Sequence, residues 1–179
     1  MADHTPASEK PSHVLSDTDR TRISANVAQT FLETYHDALL SNRSTLASFY
    51  HPTIPSPTPN RTIPLISYNG TLLHSGEDFQ NAYESMPYTY HEVQSMNASI
   101  INPCLDPGKS RTKGEAERNC SVAVQVSGFV RLNERKEGEM RGFAESFVLV
   151  PSSEEVRGRA GAGRGRDWVA VSQCFRWVV

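Results

Sequence analysis

General acid–base chemistry needs a carboxylate or imidazole with a shifted pKa, set beside a second donor in an apolar cavity. The residues of suitable type are Tyr35, His36, Asp37, His74 and His91. Tyr35 falls on an apolar helical stripe, and its neighbours His36 and Asp37 diverge around the helix, so the three are not expected to face one pocket. No Ser/His/Asp or Cys/His arrangement stands out, and no catalytic residue is expected. Cys104, Cys120 and Cys174 lack C-x-x-C spacing and a paired histidine motif, so no metal or cofactor site is expected either. A Cys104–Cys120 disulfide would staple a polar segment, whereas a reducing compartment would leave all three as free thiols.

Binding chemistry offers more. Arg157, Arg159, Arg164 and Arg166 are interleaved with glycines in RGRAGAGRGR. Arg-Gly segments can grip RNA phosphates and stack on bases. The plainer reading is a flexible loop kept soluble by charge. It is not a phosphate-binding loop, since G-x-x-x-x-G-K-[ST] is absent. Lys109, Arg111 and Lys113 form a second candidate for RNA contact, but Asp106, Glu115 and Glu117 balance them, as in a solvated loop.

The chain has 179 residues, with 18 Lys+Arg against 20 Asp+Glu and a formal net charge of −2. That length suits one domain, and the near-neutral charge argues against a dedicated nucleic-acid binder. No run of 18 apolar residues exists, so no membrane insertion is expected. Asn42, Asn60, Asn69, Asn97 and Asn119 begin N-x-[ST] sequons. Even so, the first residues lack a basic start followed by an apolar stretch, which points to an intracellular protein.

The elements that must position these groups follow from periodicity. Residues 1–20 read as a disordered tail, and 21–179 as one domain with loops at 51–64, 102–119 and 152–166. Ile23, Val27, Phe31, Tyr35 and Leu39 recur every four residues and predict a helix, capped by Asp19 or Thr21 and ending at Ser41-Asn42. A short helix is expected at 44–50 and another at 77–85. Five prolines in 51–64 exclude helix and central strand there. Residues 62–68 and 71–74 flank Asn69-Gly70, a two-residue hairpin signal. From 91 onward the period changes to two, with strands expected at 91–101, 120–132, 140–150 and 167–179. Helices followed by long strands imply an α+β fold, with helices packed on one face of a long curved antiparallel sheet. The other face is left open.

Several segments together carry a resemblance. FLETYHDALLSNRSTLASFY, LISYNG and SGEDFQNAYESMP are similar to the opening half of nuclear transport factor two-like domains. HEVQSMNASIINP, VAVQVSGFV, RGFAESFVLVP and WVAVSQCFR continue it in order, over roughly residues 22–179. Within that family the chain most resembles the fungal-type small subunit of the messenger-RNA export receptor heterodimer. The ending SQCFR, the long loops and the mixed charge of RLNERKEGEMR favour it over the import factor, which is acidic there for Ran-GDP. Two departures stand out: Asn102-Pro103 replaces the usual Gln-Pro, and Gln173 stands where an acidic residue is common.

The resemblance implies a non-catalytic subunit without cofactor, paired through its open sheet face with the large receptor subunit. It further implies contact with nucleoporin Phe-Gly repeats, RNA or ribonucleoprotein cargo (messenger and pre-ribosomal), and shuttling between nucleus, nuclear pore and cytoplasm. The exposed side is then assigned to Gln125, Ser127, Phe129 and Arg131 on one strand and to Trp168, Ala170, Ser172, Cys174 and Arg176 on the last. Arg176 is expected to meet an acidic residue of the large subunit. Glu145 on the neighbouring strand is counted with this interface, and is the alternative, intramolecular partner of Arg176. Two other readings share the fold: a homodimeric Ran-GDP import factor, and an isomerase or dehydratase with its pocket between helices and sheet.

Overall fold

The structure, a computed structural model, describes residues 13–152 and 166–178. The first element, α1 (Asp17–Ser41), begins inside the stretch read as a tail. The Ser16 hydroxyl accepts the Asp19 N–H at 3.1 Å, and Asp17 and Asp19 place negative charge at the positive helix end. Leu15 is buried ahead of the cap. The rest of that tail, residues 1–12, lies outside the described residues. Ile23, Val27, Phe31, Tyr35 and Leu39 all turn inward, as their spacing predicts.

The second helical segment is a 3-10 turn, Arg43–Phe49, and α2 (Gly76–Glu84) is capped by Ser75. Arg43 ties them together: its Nε donates to Leu39 O at 2.9 Å, Nη1 to Tyr83 O at 3.0 Å and Met86 O at 2.6 Å, and Nη2 to Pro87 O at 2.8 Å. Four charge-assisted bonds to carbonyls fix the entry into the sheet.

Within the proline-rich segment, β1 (Ile54–Pro55) and β2 (Thr62–Ile63) form a small separate ladder. Pro64 follows with no N–H to donate, and the main hairpin starts only at β3 (Leu65–Tyr68) and returns as β4 (Thr71–Leu73). Its turn residues Asn69 and Gly70 both have positive φ, 47° and 93°, as a primed turn requires. The long strands are β5 (Thr89–Asn102), β6 (Ser121–Leu132), β7 (Met140–Pro151) and β8 (Trp168–Val178). They make a six-stranded sheet in the order β4-β3-β8-β7-β6-β5.

Two features correct the sequence expectation. First, β3 runs parallel to β8, so the sheet is mixed rather than wholly antiparallel. Parallel pairing needs a long crossover, which α2 and the three strands after it supply. Second, the segment 102–119 is not simply a loop. It contains a turn at Pro107–Lys109 and a short helix, α3 (Lys113–Glu117), opened by a capping box between Thr112 and Glu115. Lys113 pairs with Asp19 at 2.7 Å and Arg22 with Glu117, so the insert is docked on the start of α1. Asn119 is buried and donates to Asp106 O at 2.6 Å and Ser110 Oγ at 2.7 Å. Cys104, Cys120 and Cys174 are free thiols.

The core lies between α1 and the concave sheet face. Phe31, Tyr35, Phe49, Phe79, Phe143, Phe147 and Phe175 fill it. Bulges bend the strands around these rings: the register slips at Gln94 and Ile101 in β5 and at Val171 in β8. Gly128 sits opposite the first bulge, where a Cβ would lie 2.0 Å from Glu92 O.

Candidate partner interface on the open sheet face

The strand register builds the convex face row by row. One row runs Asn97, Gln125, Ser146, Cys174, Ser67 and Leu72 across all six strands. The next runs Ser95, Ser127, Ala144 and Arg176. On one flank lie Glu92, Phe129, Gly142 and Val178, and on the other Ser99, Ala123, Val148, Ser172 and Leu65. The centre is therefore small and polar, forming a shallow depression of about 390 Å³ lined by Gln125, Ser127, Ala144, Cys174 and Arg176, among others. Leu65, Leu72, Phe129 and Val178 are exposed around it. Small residues let another sheet approach, while apolar rims and one arginine supply contact area and register.

Gln125, Ser127, Phe129, Arg131, Ser172, Cys174 and Arg176 occupy this face, as assigned. Arg176 is exposed beside the β3–β4 turn, its Nη1 only 3.0 Å from where a Cβ on Gly70 would stand. Three assigned residues do not belong here. The bulge at Val171 flips the parity of β8, so Ala170 is fully buried and Trp168 packs against the core, lining a groove with Val27, Thr30 and Phe31 of α1. Glu145 pairs across with Phe175, not Arg176, and points inward with 4% exposure. It is therefore neither an interface residue nor a partner for Arg176.

Glu145 belongs to a buried polar network. Gln173, 1% exposed, donates from Nε2 to Glu145 Oε1 at 2.6 Å and to the Tyr35 hydroxyl at 2.8 Å. Its Oε1 accepts the Tyr50 hydroxyl at 2.5 Å, and Tyr35 and Tyr50 lie 3.1 Å apart. Burial holds both phenols neutral, their pKa values pushed well above the ordinary one. His36 Nε2 stands 3.7 Å from Glu145 Oε2, and its ring stacks on His91 at 4.8 Å. Burial, then His36, pulls His91 down to about 3.

Tyr35 and His36 both border this network, one through Gln173 and the other beside Glu145, but Asp37 does not, so the three do not face one pocket. Asp37 is exposed, and His74 sits at the entry to α2 with its N–H on Asp78. Among the described residues no group of three or more His, Cys, Asp or Glu is placed to hold a metal ion.

The cationic candidates separate. Lys109 pairs with Asp106 at 3.4 Å and Lys113 with Asp19, while Arg111 is exposed. Arg157, Arg159 and Arg164 lie outside the described residues. Arg166 is corrected as a free RNA contact: its Nε donates to Ser48 Oγ at 3.1 Å and its guanidinium covers the Phe49 ring. That burial lowers its pKa to about 10.

The chain belongs to the family of the nuclear transport factor 2 (NTF2) domain, whose model matches residues 27–177. No curated protein matches it. Among solved structures, the Chaetomium thermophilum Mex67 NTF2-like domain complexed with Mtr2 is similar at 19% identity and TM-score 0.65, over 87% of this chain and 99% of that one. A structure of Mtr2 matches at 16% identity and TM-score 0.64, over 87% and 99%. Nuclear transport factor 2 from Cryptosporidium parvum follows at 17% and 0.54, over 86% and 94%. The likeness at these identities is one of fold.

Proposed function

We propose that this chain is a non-catalytic small subunit that pairs, through its open sheet face, with the homologous domain of a larger messenger-RNA export receptor. The single observation that carries this reading is the open face itself: unbroken rows of small and polar residues across the sheet, rimmed by Leu65, Leu72, Phe129 and Val178, with Arg176 at its edge. A face of this composition buries well against another sheet and poorly against water.

Further support comes from the resemblance of the fold to complexes of Mex67 with Mtr2. The filled interior also favours it, since Tyr35, Tyr50 and Gln173 bond to one another where an enzyme would bind a ligand. The heterodimer would carry messenger-RNA cargo, and pre-ribosomal cargo as well, through weak contacts with Phe-Gly repeats. It would shuttle between nucleus, pore and cytoplasm.

The test is size-exclusion chromatography with light scattering, alone and mixed with the NTF2-like domain of the same organism's export receptor. A one-to-one complex supports the proposal. A homodimer that ignores the receptor points instead to an import factor, and a monomer that ignores it reopens the search for a ligand.

A further inference from the structure

The sheet has two edges, and they differ. β4 has only three residues, but β5 offers fourteen, with no strand beyond it among the described residues. Residues 93–102, VQSMNASIIN, contain no charge, proline or glycine, the usual devices that discourage pairing at an edge. Between the bulges at Gln94 and Ile101 the strand is regular over six residues. Ser24 Oγ donates to Ala98 O at 3.4 Å from α1, so this carbonyl faces away from β6. Alternation places the N–H and C=O groups of Met96 and Ile100 on the same outer side.

Alongside this edge runs a groove of about 310 Å³, walled by Asp17, Arg20, Thr21 and Ser24 of α1 and by Ala98–Ile100 of β5. Its charged group is incompletely paired. Arg20 Nη1 is 3.9 Å from Asp17, a loose contact with a fully exposed carboxylate, and Arg20 Nε is buried with no hydrogen-bond partner among the described residues. A cleft between a helix and a free strand edge suits strand addition, in which backbone bonds give affinity and flanking side chains give selectivity.

We propose that the cleft between the first turns of α1 and the outer edge of β5 binds an extended peptide as an added strand. Its occupant is a short β-prone segment, uncharged except for one carboxylate that answers Arg20. This goes beyond partner pairing on the convex face, which the added strand would border but not use.

The probe is an N-acetylated, C-amidated hexapeptide, Val-Thr-Glu-Val-Thr-Val, and its counterpart with Lys in place of Glu, titrated into the ¹⁵N-labelled full chain. The Glu peptide is expected to bind saturably at up to about 1 mM, shifting and protecting the amides of Met96, Ala98 and Ile100. It should bind on the order of tenfold tighter than the Lys peptide, and Arg20→Glu should invert that preference. No binding, no preference between the peptides, or shifts confined to Gln125 and Ser127 would overturn the proposal. So would edge-to-edge dimerisation of the chain that the peptide does not compete away. The wild-type amide map stands without the variant, should Arg20→Glu fold poorly. Receptor pairing, measured separately with the receptor's domain, is expected to be unchanged by Arg20→Glu.

Discussion

Arg176→Ala separates association from folding. In the monomer the guanidinium is exposed, makes no ion pair among the described residues, and lies against the turn at Gly70. Removing it is therefore expected to change the free energy of unfolding by less than about 0.5 kcal/mol. In the heterodimer the same side chain would be desolvated against a carboxylate, and truncating one member of such a pair costs about 2–5 kcal/mol. At about 1.4 kcal/mol per decade, that is a loss of roughly 30- to 4,000-fold in affinity for the receptor's domain. Arg176→Lys keeps the charge but loses the planar fork, so it should fall between wild type and Ala. Isothermal titration at physiological salt reads the affinity, and urea denaturation of the subunit alone reads the stability. Arg111→Ala, an exposed cation on the insert, serves as the control. The reasoning is refuted if Arg176→Ala binds within about threefold of wild type, or if its stability falls as far as its affinity.

Gln173→Leu should destabilise the subunit by about 2–4 kcal/mol in urea denaturation, because Glu145 and the Tyr50 hydroxyl lose their buried partner; a loss under about 0.5 kcal/mol would mean the network is not formed. His91, pulled down to about 3 from an ordinary 6.5, stays neutral in the fold while the unfolded chain takes up a proton below pH 6.5. Stability should therefore fall on acidification, by up to about 2 kcal/mol between pH 6.5 and 5 from this group, and His91→Phe should flatten that slope in unfolding curves. Gly128→Ala should cost more than about 3 kcal/mol or abolish soluble expression, since its Cβ meets the Glu92 carbonyl; Gly114→Ala, with open space around it, is the neutral comparison in thermal melts.

Much of this architecture was legible because the signals are local. The stripe from Ile23 to Leu39, the Asn69-Gly70 turn and the alternation of Val122, Val124 and Val126 each encode their own element. That same alternation puts Gln125, Ser127 and Phe129 on one face, and it is the family resemblance that implies this face is the open one. What escaped depends on contacts distant in sequence or on a single inserted residue. Nothing local marks β3 as a parallel neighbour of β8. One extra residue at Val171 reverses which side Trp168 and Ala170 face, although Ser172, Cys174 and Arg176 beyond it keep theirs. Glu145, read as an interface residue, is a core residue because Gln173, 28 positions away, supplies its donor. Arg166 was read with the Arg-Gly loop, yet it closes over Phe49, more than a hundred residues earlier. The capping box at Thr112 and Glu115 was the one missed element whose signal was present: a T-x-x-E pattern within the polar segment.

If the proposed pairing is right, a second domain of the same fold sits on the convex sheet face. Hydrogen–deuterium exchange on the subunit, free and mixed with the receptor's NTF2-like domain, tests it most directly. Protection is expected to concentrate in peptides covering 123–131, 142–148 and 172–178, with residues 23–39 of the helix unchanged. Protection on the helical side instead, with the convex peptides exchanging as in the free subunit, would contradict it.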